Sequence, residues 1–560
     1  MKKKSIFAVA VFLSYMIVVS AQNGLDGLFG SRPEVVFSFV EPDNAKIREL
    51  SRIISIDKRK GDTITAYANR TEFEAFLRYG YTYAIVPRGM EKAVTMASTV
   101  AQMSNWDRYP TYEVYLQMMD SFAVKYPTLC RIDTIGTSVR GRLILCAVIS
   151  DSLGIDQNEP QFFYTSTMHG DEVTGFILML RLIDHLLSNY GTDAAITQLV
   201  DNTIIFINPL SNPDGTYSGG DSTVSRATRY NANYVDLNRN YPDPWGSAPL
   251  SSIQRENTAM MNYAQNHHFV MSANLHCGSE VLNFPWDSYP SYEKLSADYD
   301  WWRAVGRKFV DSCRAAHSGA YTSVNRSGIV VGGNWYVISN GRQDYMNYYH
   351  RCRETTIEVS DTKTLSSSLL PTYWNFHRQA LIDYIGQVHH GIHGMVVDSL
   401  TRQPIAALIT VQNYDYDSSE VFSRPGHGDF YRLLLDGEYT IAATASGYRS
   451  KTIENVSVDD TATRILIELV PDGSPAGLSE TENKAVANIH PNPCRDFFDI
   501  SGENIVQYTV VNALGVKMCQ GIVEAKQERV NTAAWPCGLY VVYVANADGY
   551  IQCLKFVKRP

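Results

Sequence analysis

Basic charge is in short supply: 49 Lys and Arg stand against 58 Asp and Glu, a formal net charge of −9. No basic cluster interrupts the chain, so the electrostatic footprint that nucleic-acid binding requires is missing, and no nucleic-acid partner is expected. Cysteine is sparse as well. Nine are scattered over 560 residues without a Cys-x-x-Cys pair, and the odd count leaves at least one without an intramolecular partner, so no disulfide pairing can be read. Long apolar runs are missing apart from Ile6 to Val19, which is shorter than the roughly 20 residues that span a bilayer. Behind Lys2, Lys3 and Lys4 and ahead of Ser20-Ala21-Gln22, that run is expected to be a secretory signal peptide covering residues 1–21. No internal repeat is found.

What is present is the composition of a folded protein, 45% hydrophobic and 19% charged. The length is too great for one hydrophobic core. Residues 22–103 hold an alternating stretch from Asp62 to Ala68, a helix-like run from Glu72 to Arg78 and a second strand from Tyr83 to Val86, which predicts a compact α+β unit. Either an inhibitory pro-segment or a folding and packing module fits this unit. Residues 104–390 alternate strand-like runs (from Gln161, Thr203 and Phe269) with helical ones (from Gly175), the pattern of an α/β fold with a mixed sheet covered by helices. From 391 to 471 only short β-runs separated by turns remain, predicting a β-sandwich. A linker composition fills 472–485, and a second small β-domain occupies 486–560.

The chemistry-bearing signal is Met168-His169-Gly170-Asp171-Glu172, between the strand ending near Thr167 and the helix beginning near Thr174. A His and a Glu at a strand end can turn both side chains towards one ion, and catalytic zinc takes three nitrogen or oxygen ligands with a fourth position open to water. Alone, His-x-x-Glu is a frequent spacing. Downstream, however, follow Asn212-Pro-Asp-Gly, Arg226-Ala-Thr-Arg, Asp236-Leu-Asn-Arg-Asn, Asn274-Leu-His276, Gly341-Arg-Gln-Asp344 and Thr356-Ile-Glu358, in that order. With these residues the chain resembles the zinc metallocarboxypeptidases over essentially the whole α/β block.

The resemblance implies a metallocarboxypeptidase fold and one Zn2+ per chain held by His169, Glu172 and His276, with Asp236 orienting His169. It implies that Asn238 and Arg239 grip the terminal carboxylate of a peptide, and that Glu358 moves the protons of hydrolysis, with Glu354 as the competing carboxylate. Arg226 aligns with the arginine that stabilises the developing oxyanion, with Arg229 as its rival, and Tyr336 with the mobile tyrosine that covers the substrate. Peptide and protein C-termini are the implied partners. The stretch from Trp335 to Tyr345 resembles the regulatory branch that includes carboxypeptidases N, E and D, which removes Lys and Arg; Asp287 and Gln343 occupy the pocket positions of that branch. A carboxylate there would neutralise a cationic side chain, although Asp287 could also simply cap the following turn.

The β-domain after Gly391 resembles that branch's transthyretin-like module. Two departures stand out: Cys277 where the branch has Gly, a thiol open to oxidation beside a metal site, and Asp171 where it has Asn. Pro491-Asn-Pro, Gly538-Leu-Tyr and the terminal Lys555-Phe-Val-Lys resemble the C-terminal sorting domain of the type IX secretion system, which implies export to the medium or cell surface and the secretion machinery as a partner. Two other readings remain open here, an enzyme of this fold acting on cell-wall peptides and an inactive peptide-binding surface protein.

Overall fold

The protein is described by a computed structural model that covers residues 25–30, 33–87, 94–155, 157–249, 251–459, 462–472, 487–502, 505–512, 516–523, 527–546 and 551–560. The expected signal peptide and, apart from Asp472, the expected linker lie outside these residues. The chain divides into two compact units after Asp472.

The first unit is organised by an eight-stranded mixed sheet. Its order is Ile329–Val331, Ser279–Phe284, Arg353–Ser360, Phe269–His276, Gln161–Ser166, Ile204–Asn208, Leu143–Ile149 and Cys130–Thr137. The four strands from Arg353–Ser360 to Ile204–Asn208 run parallel, and antiparallel pairs flank them. All eight residues of Phe269–His276 and of Arg353–Ser360 are buried, as central strands covered on both faces must be. The period-2 alternation of strands explains the two cores. Leu145, Ala147 and Ile149 join the helices Tyr112–Lys125, Thr174–Asn189, Tyr299–Ala316 and Leu370–Gly386 on one side, while Ile144, Cys146 and Val148 join Met260, Tyr345 and Met346 on the other.

Ahead of this sheet, residues 34–85 build a separate four-stranded antiparallel sheet in the order Ser55–Lys60, Thr63–Asn69, Glu34–Val40, Tyr83–Ile85. Two of these strands exceed the strand, helix, strand order expected from the sequence. The helix Arg70–Leu77 starts in a capping box between Asn69 and Glu72, and Phe73 and Phe76 bury against Phe37. The chain then enters the large unit's core, where Met96–Ala97 pairs with Tyr109–Pro110.

After the helix Leu370–Gly386, two sheets of three and four strands between Gly391 and Leu469 enclose a core of Ile392, Phe430, Ile441 and Ile467. They are joined to the α/β block by Tyr431 and Leu433, which pack into its core, and by buried charge. Asp298 accepts from Arg432 Nη2 at 2.7 Å and from Arg353 Nε at 3.1 Å, and Arg432 also meets Asp415 at 2.5 Å. The second unit, by itself, is a two-sheet β-fold of seven strands around Phe498, Val510, Val542 and Phe556. All nine cysteines carry free thiols. Among the described residues, no helix is long and apolar enough to cross a membrane.

Removing Asp298 would strand Arg353 in the interior without a carboxylate. Asp298→Ala is expected to destabilise the first unit by about 3–5 kcal/mol, read as a lower urea midpoint.

Candidate active site

The carboxyl ends of the parallel strands meet at one place, where α/β sheets present their ligands. Strand Phe269–His276 ends in His276, which stands in register with Glu358 on the neighbouring strand, while Leu275 stands beside Ser166. Past Ser166 the chain turns through Thr167 (φ 59°) and delivers His169 and Glu172 before the helix at Thr174 begins. Gly170 makes this turn possible, because a Cβ there would lie 2.3 Å from the main chain of Gly215.

His169, Glu172 and His276 thereby converge, with one ligand atom from each lying within 4.8 Å of the others, and all three side chains are buried. His169 Nδ1 is 2.9 Å from Glu172 Oε1 and 3.0 Å from His276 Nδ1, which is 2.8 Å from Glu172 Oε2. On its far side, His169 Nε2 lies 3.1 Å from Asp236 Oδ1. In the neutral tautomer that carries its proton on Nε2, His169 donates to Asp236 and turns the Nδ1 lone pair towards Glu172 and His276. Lone pairs so aimed repel unless a cation lies between them. The donor set of two imidazoles and one carboxylate therefore fits a divalent metal such as zinc.

The surrounding charges keep the acceptors ionised. Burial opposes the charge of Asp236, but Arg229, then His169 and Arg239, outweigh it and hold its pKa well below the ordinary carboxylate range. Glu172 is likewise held low against burial by His169, Lys363 and His276. Arg229 Nε donates to Asp236 Oδ2 at 3.0 Å and its Nη1 approaches Glu172 Oε1 at 3.5 Å, with the side chain only 3% exposed. Of the two arginines, Arg229 is the one that lines the cavity. Arg226 is exposed and packs over Gly219, outside the cavity that Arg229 lines, because the turn from Thr228 to Tyr230 folds inwards while residue 226 stays on its outer side.

Glu358 lines the same cavity, and its Oε2 is buried without a hydrogen-bond partner among the described residues. Burial first, then the charges of Glu172 and Asp57, push its pKa well above the ordinary value. Glu354 is elsewhere, in a buried pair with Arg342 at 2.9 Å and bonded to Ser272 and Asn274.

Asn238, Arg239 and Tyr336 line the cavity beside Glu358. Asp287 closes one end, its Oδ1 accepting from Gln343 Nε2 at 2.9 Å, and Asp344 fixes this corner by accepting from the N–H groups of Asp287 and Ser288, both at 2.9 Å. Burial and then the Asp344 charge raise the Asp287 pKa well above its usual value. Gly332 is required underneath, since a Cβ there would lie 1.8 Å from Asp287 Oδ1.

Sequence reasoning missed Asp57 and Lys363. Lys363 Nζ lies 3.0 Å from Glu172 Oε1 and 2.6 Å from Asp57 Oδ1, and nothing in a Ser- and Thr-rich loop marks it. Asp171, the departure from Asn, accepts from Tyr67 OH at 3.1 Å and lies 3.8 Å from Lys363. Cys277 is buried, and burial followed by the nearby Glu172 charge drives its thiol pKa upwards, so the thiolate that oxidation requires is suppressed. Its useful group is the main-chain N–H, which donates to Glu172 Oε2 at 3.1 Å.

Residues 115–380 match the zinc carboxypeptidase family model. The human carboxypeptidase N catalytic chain is 34% identical over 390 residues, covering 62% of this chain and 82% of its own. The chain belongs to the zinc carboxypeptidase family. Mouse carboxypeptidase M is 34% identical over 359 residues, 61% of this chain and 79% of its own. Human carboxypeptidase D is 35% identical over 367 residues, 62% of this chain, which spans only 26% of that larger protein. These are relatives of the regulatory type. Residues 488–559 match the secretion system C-terminal sorting domain.

His276→Ala should abolish tight metal binding and Asp236→Ala weaken it about 10–100-fold, whereas Glu358→Ala should keep the metal. Competition with a chromophoric chelator measures all three, and equal loss in His276→Ala and Glu358→Ala would contradict the assignment of ligands.

Proposed function

We propose that this chain is an exported, zinc-dependent carboxypeptidase that releases single C-terminal residues from peptides and proteins, preferring Lys and Arg. The observation that carries the proposal is the meeting of the His169, Glu172 and His276 ligand atoms with Arg239, Arg229 and Glu358, whose Oε2 has no partner among the described residues, around one cavity.

Arg239, with Asn238, is assigned the terminal carboxylate, because a planar guanidinium matches it in two hydrogen bonds. The buried Nε of Arg239 has no partner among the described residues and is available for that contact. Zinc, when bound, supplies a Lewis acid and a means of activating water. Glu358 takes a proton from the attacking water at its carboxylate and hands it to the leaving nitrogen, which cannot depart as an amide anion. Arg229 presents its guanidinium to the oxygen that gains negative charge, replacing Arg226 in that role. Tyr336 covers the substrate.

Asp287 with Gln343 is assigned the side chain of the residue removed. Buried and facing Asp344, the Asp287 carboxyl resists ionisation in isolation, and an incoming guanidinium or ammonium reverses this by direct opposition of charge. An apolar side chain brings no such compensation. Export is supported by the sorting-domain match at residues 488–559 and by the signal-like residues 1–21, a combination that suits the type IX route with removal of the C-terminal domain.

With mature protein isolated from culture supernatant, peptides ending in Arg or Lys should be trimmed roughly 100-fold faster than those ending in Leu or Glu, and Asp287→Ala should erase most of that difference. Equal rates on the whole panel would remove the basic preference, and no release from any peptide would remove the enzyme. Mass spectrometry of the same material should find the chain ending before residue 488; an intact C-terminus would contradict removal of the sorting domain.

A further inference from the structure

We infer that the buried ion pair of Arg342 and Glu354 is a positioning device. It fastens the first turn of the helix Arg342–His350 to the strand that carries Glu358, and through that turn it holds both the clamp for the terminal carboxylate and the pocket for the side chain. The inference deepens the carboxypeptidase reading above and rests on it for its consequence.

Side chains of one strand alternate between its faces, so Glu354, Thr356 and Glu358 share a face of Arg353–Ser360. The neighbouring strand sets Ser272, Asn274 and His276 beside them in register. At one end of this double row stand His276 and Glu358, which line the cavity. In the middle, the Thr356 hydroxyl donates to Asn274 Oδ1 at 3.3 Å. At the other end, Glu354 accepts from Ser272 Oγ at 2.7 Å and from Asn274 Nδ2 at 2.9 Å. The Glu354 carboxylate is thereby fixed to the two strands that present His276 and Glu358.

Arg342 closes on this carboxylate from the helix. Its Nε lies 2.9 Å from Oε1 and 3.2 Å from Oε2, and both side chains are buried. Further along the helix, Asn347 Nδ2 donates to the Glu354 carbonyl at 2.8 Å, so main chain and side chain of Glu354 are both tied to it. Three consecutive residues of the first turn then serve the site in different ways. The Arg342 N–H donates to Asn238 Oδ1 at 2.9 Å, which assigns the amide oxygen to the helix and leaves the amide nitrogen as the donor for a carboxylate. Gln343 holds Asp287 by its side chain, and Asp344 holds the N–H groups of Asp287 and Ser288. A shift of this one turn moves clamp and pocket together.

Stability does not account for the pair. Arg342 Nη2 is buried without a hydrogen-bond partner among the described residues. A buried ion pair with an unmet donor is a weak stabiliser, which apolar side chains of similar volume often replace without loss. What apolar side chains do not reproduce is direction: the Arg342 Nε–H meets both oxygens of Glu354, and this sets where the helix begins. Misplacement on the order of 1 Å at a supporting residue costs up to about 100-fold in a site that works by orientation.

The test uses zinc-loaded protein isolated from culture supernatant. Arg342→Met alone strands Glu354 in the interior and is expected to unfold readily, so the decisive variant combines Arg342→Met with Glu354→Gln, removing both charges at nearly constant volume. Its Tm should stay within a few degrees of wild type. Hydrogen exchange followed by mass spectrometry should quicken roughly 10-fold or more at the main-chain amides of Asp287, Ser288 and Arg342, the three that this turn secures. KM for an Arg-terminated peptide should rise roughly 10- to 100-fold with kcat changed less than about 3-fold, and zinc affinity should stay the same. Unchanged exchange at these amides overturns the inference. So does faster exchange spread evenly over the α/β block with a matching fall in Tm, the mark of a merely structural pair. Quickened exchange at the three amides, with no hydrolysis even by wild type, leaves the positioning role standing and the carboxypeptidase reading fallen. Unchanged exchange and KM in an active enzyme have the opposite meaning.

Discussion

Asp236 is the carboxylate through which the separate parts of the site are held in one frame. Its Oδ1 faces His169 and also accepts the Asn238 N–H at 2.8 Å, while its Oδ2 takes Arg229 Nε. One buried anion thus fixes the ring of His169, the guanidinium of Arg229 and the short turn Leu237–Arg239 that carries the proposed clamp. Placing such an anion in the interior is costly unless every lone pair is matched by a donor. Here the donors come from three parts of the chain, so the geometry of each is conditional on the other two.

The meeting of His169, Glu172 and His276 was legible because these residues fall where strand and helix patterns change. The run Phe269 to Leu275 reads as a buried strand and His276 ends it; Gln161 to Thr167 reads as another, and His169 follows. Periodicity locates such positions well. It could not decide between Arg226 and Arg229, three residues apart in a loop with no period, where only the inward fold of the turn separates an exposed side chain from a buried one. Nor could it find the strand Ser55–Lys60. Ser, Asp, Lys, Arg and Lys make up five of its six residues, and an apolar alternation is not what holds it. It is held by Thr63–Asn69 on one side and by the cationic mouth of the cavity on the other, and the second of these belongs to tertiary structure alone.

The same distinction applies to the junction between the α/β block and the following β-sheets. The apolar pattern gives two cores, and beside Tyr431 and Leu433, which pack into the core of the α/β block, the two bodies also meet through Arg353, Asp298, Arg432 and Asp415, residues that resemble ordinary surface charges in the sequence. Hydrophobic burial builds each body and crosses the junction, where the paired charges add directional contacts. With no disulfide among the nine cysteines, these non-covalent terms alone hold the first unit together.

Gly332 leaves a narrower freedom than its lack of a side chain suggests. Because the space of a single methyl group there is already taken by a carboxylate oxygen of Asp287, neither position can be altered by itself without crowding or hollowing the other. Anyone reshaping this pocket for other chain ends would need to treat 287 and 332 as a single unit of volume. Gln343, which reaches Asp287 from another direction, is the place where polarity could be varied independently of size.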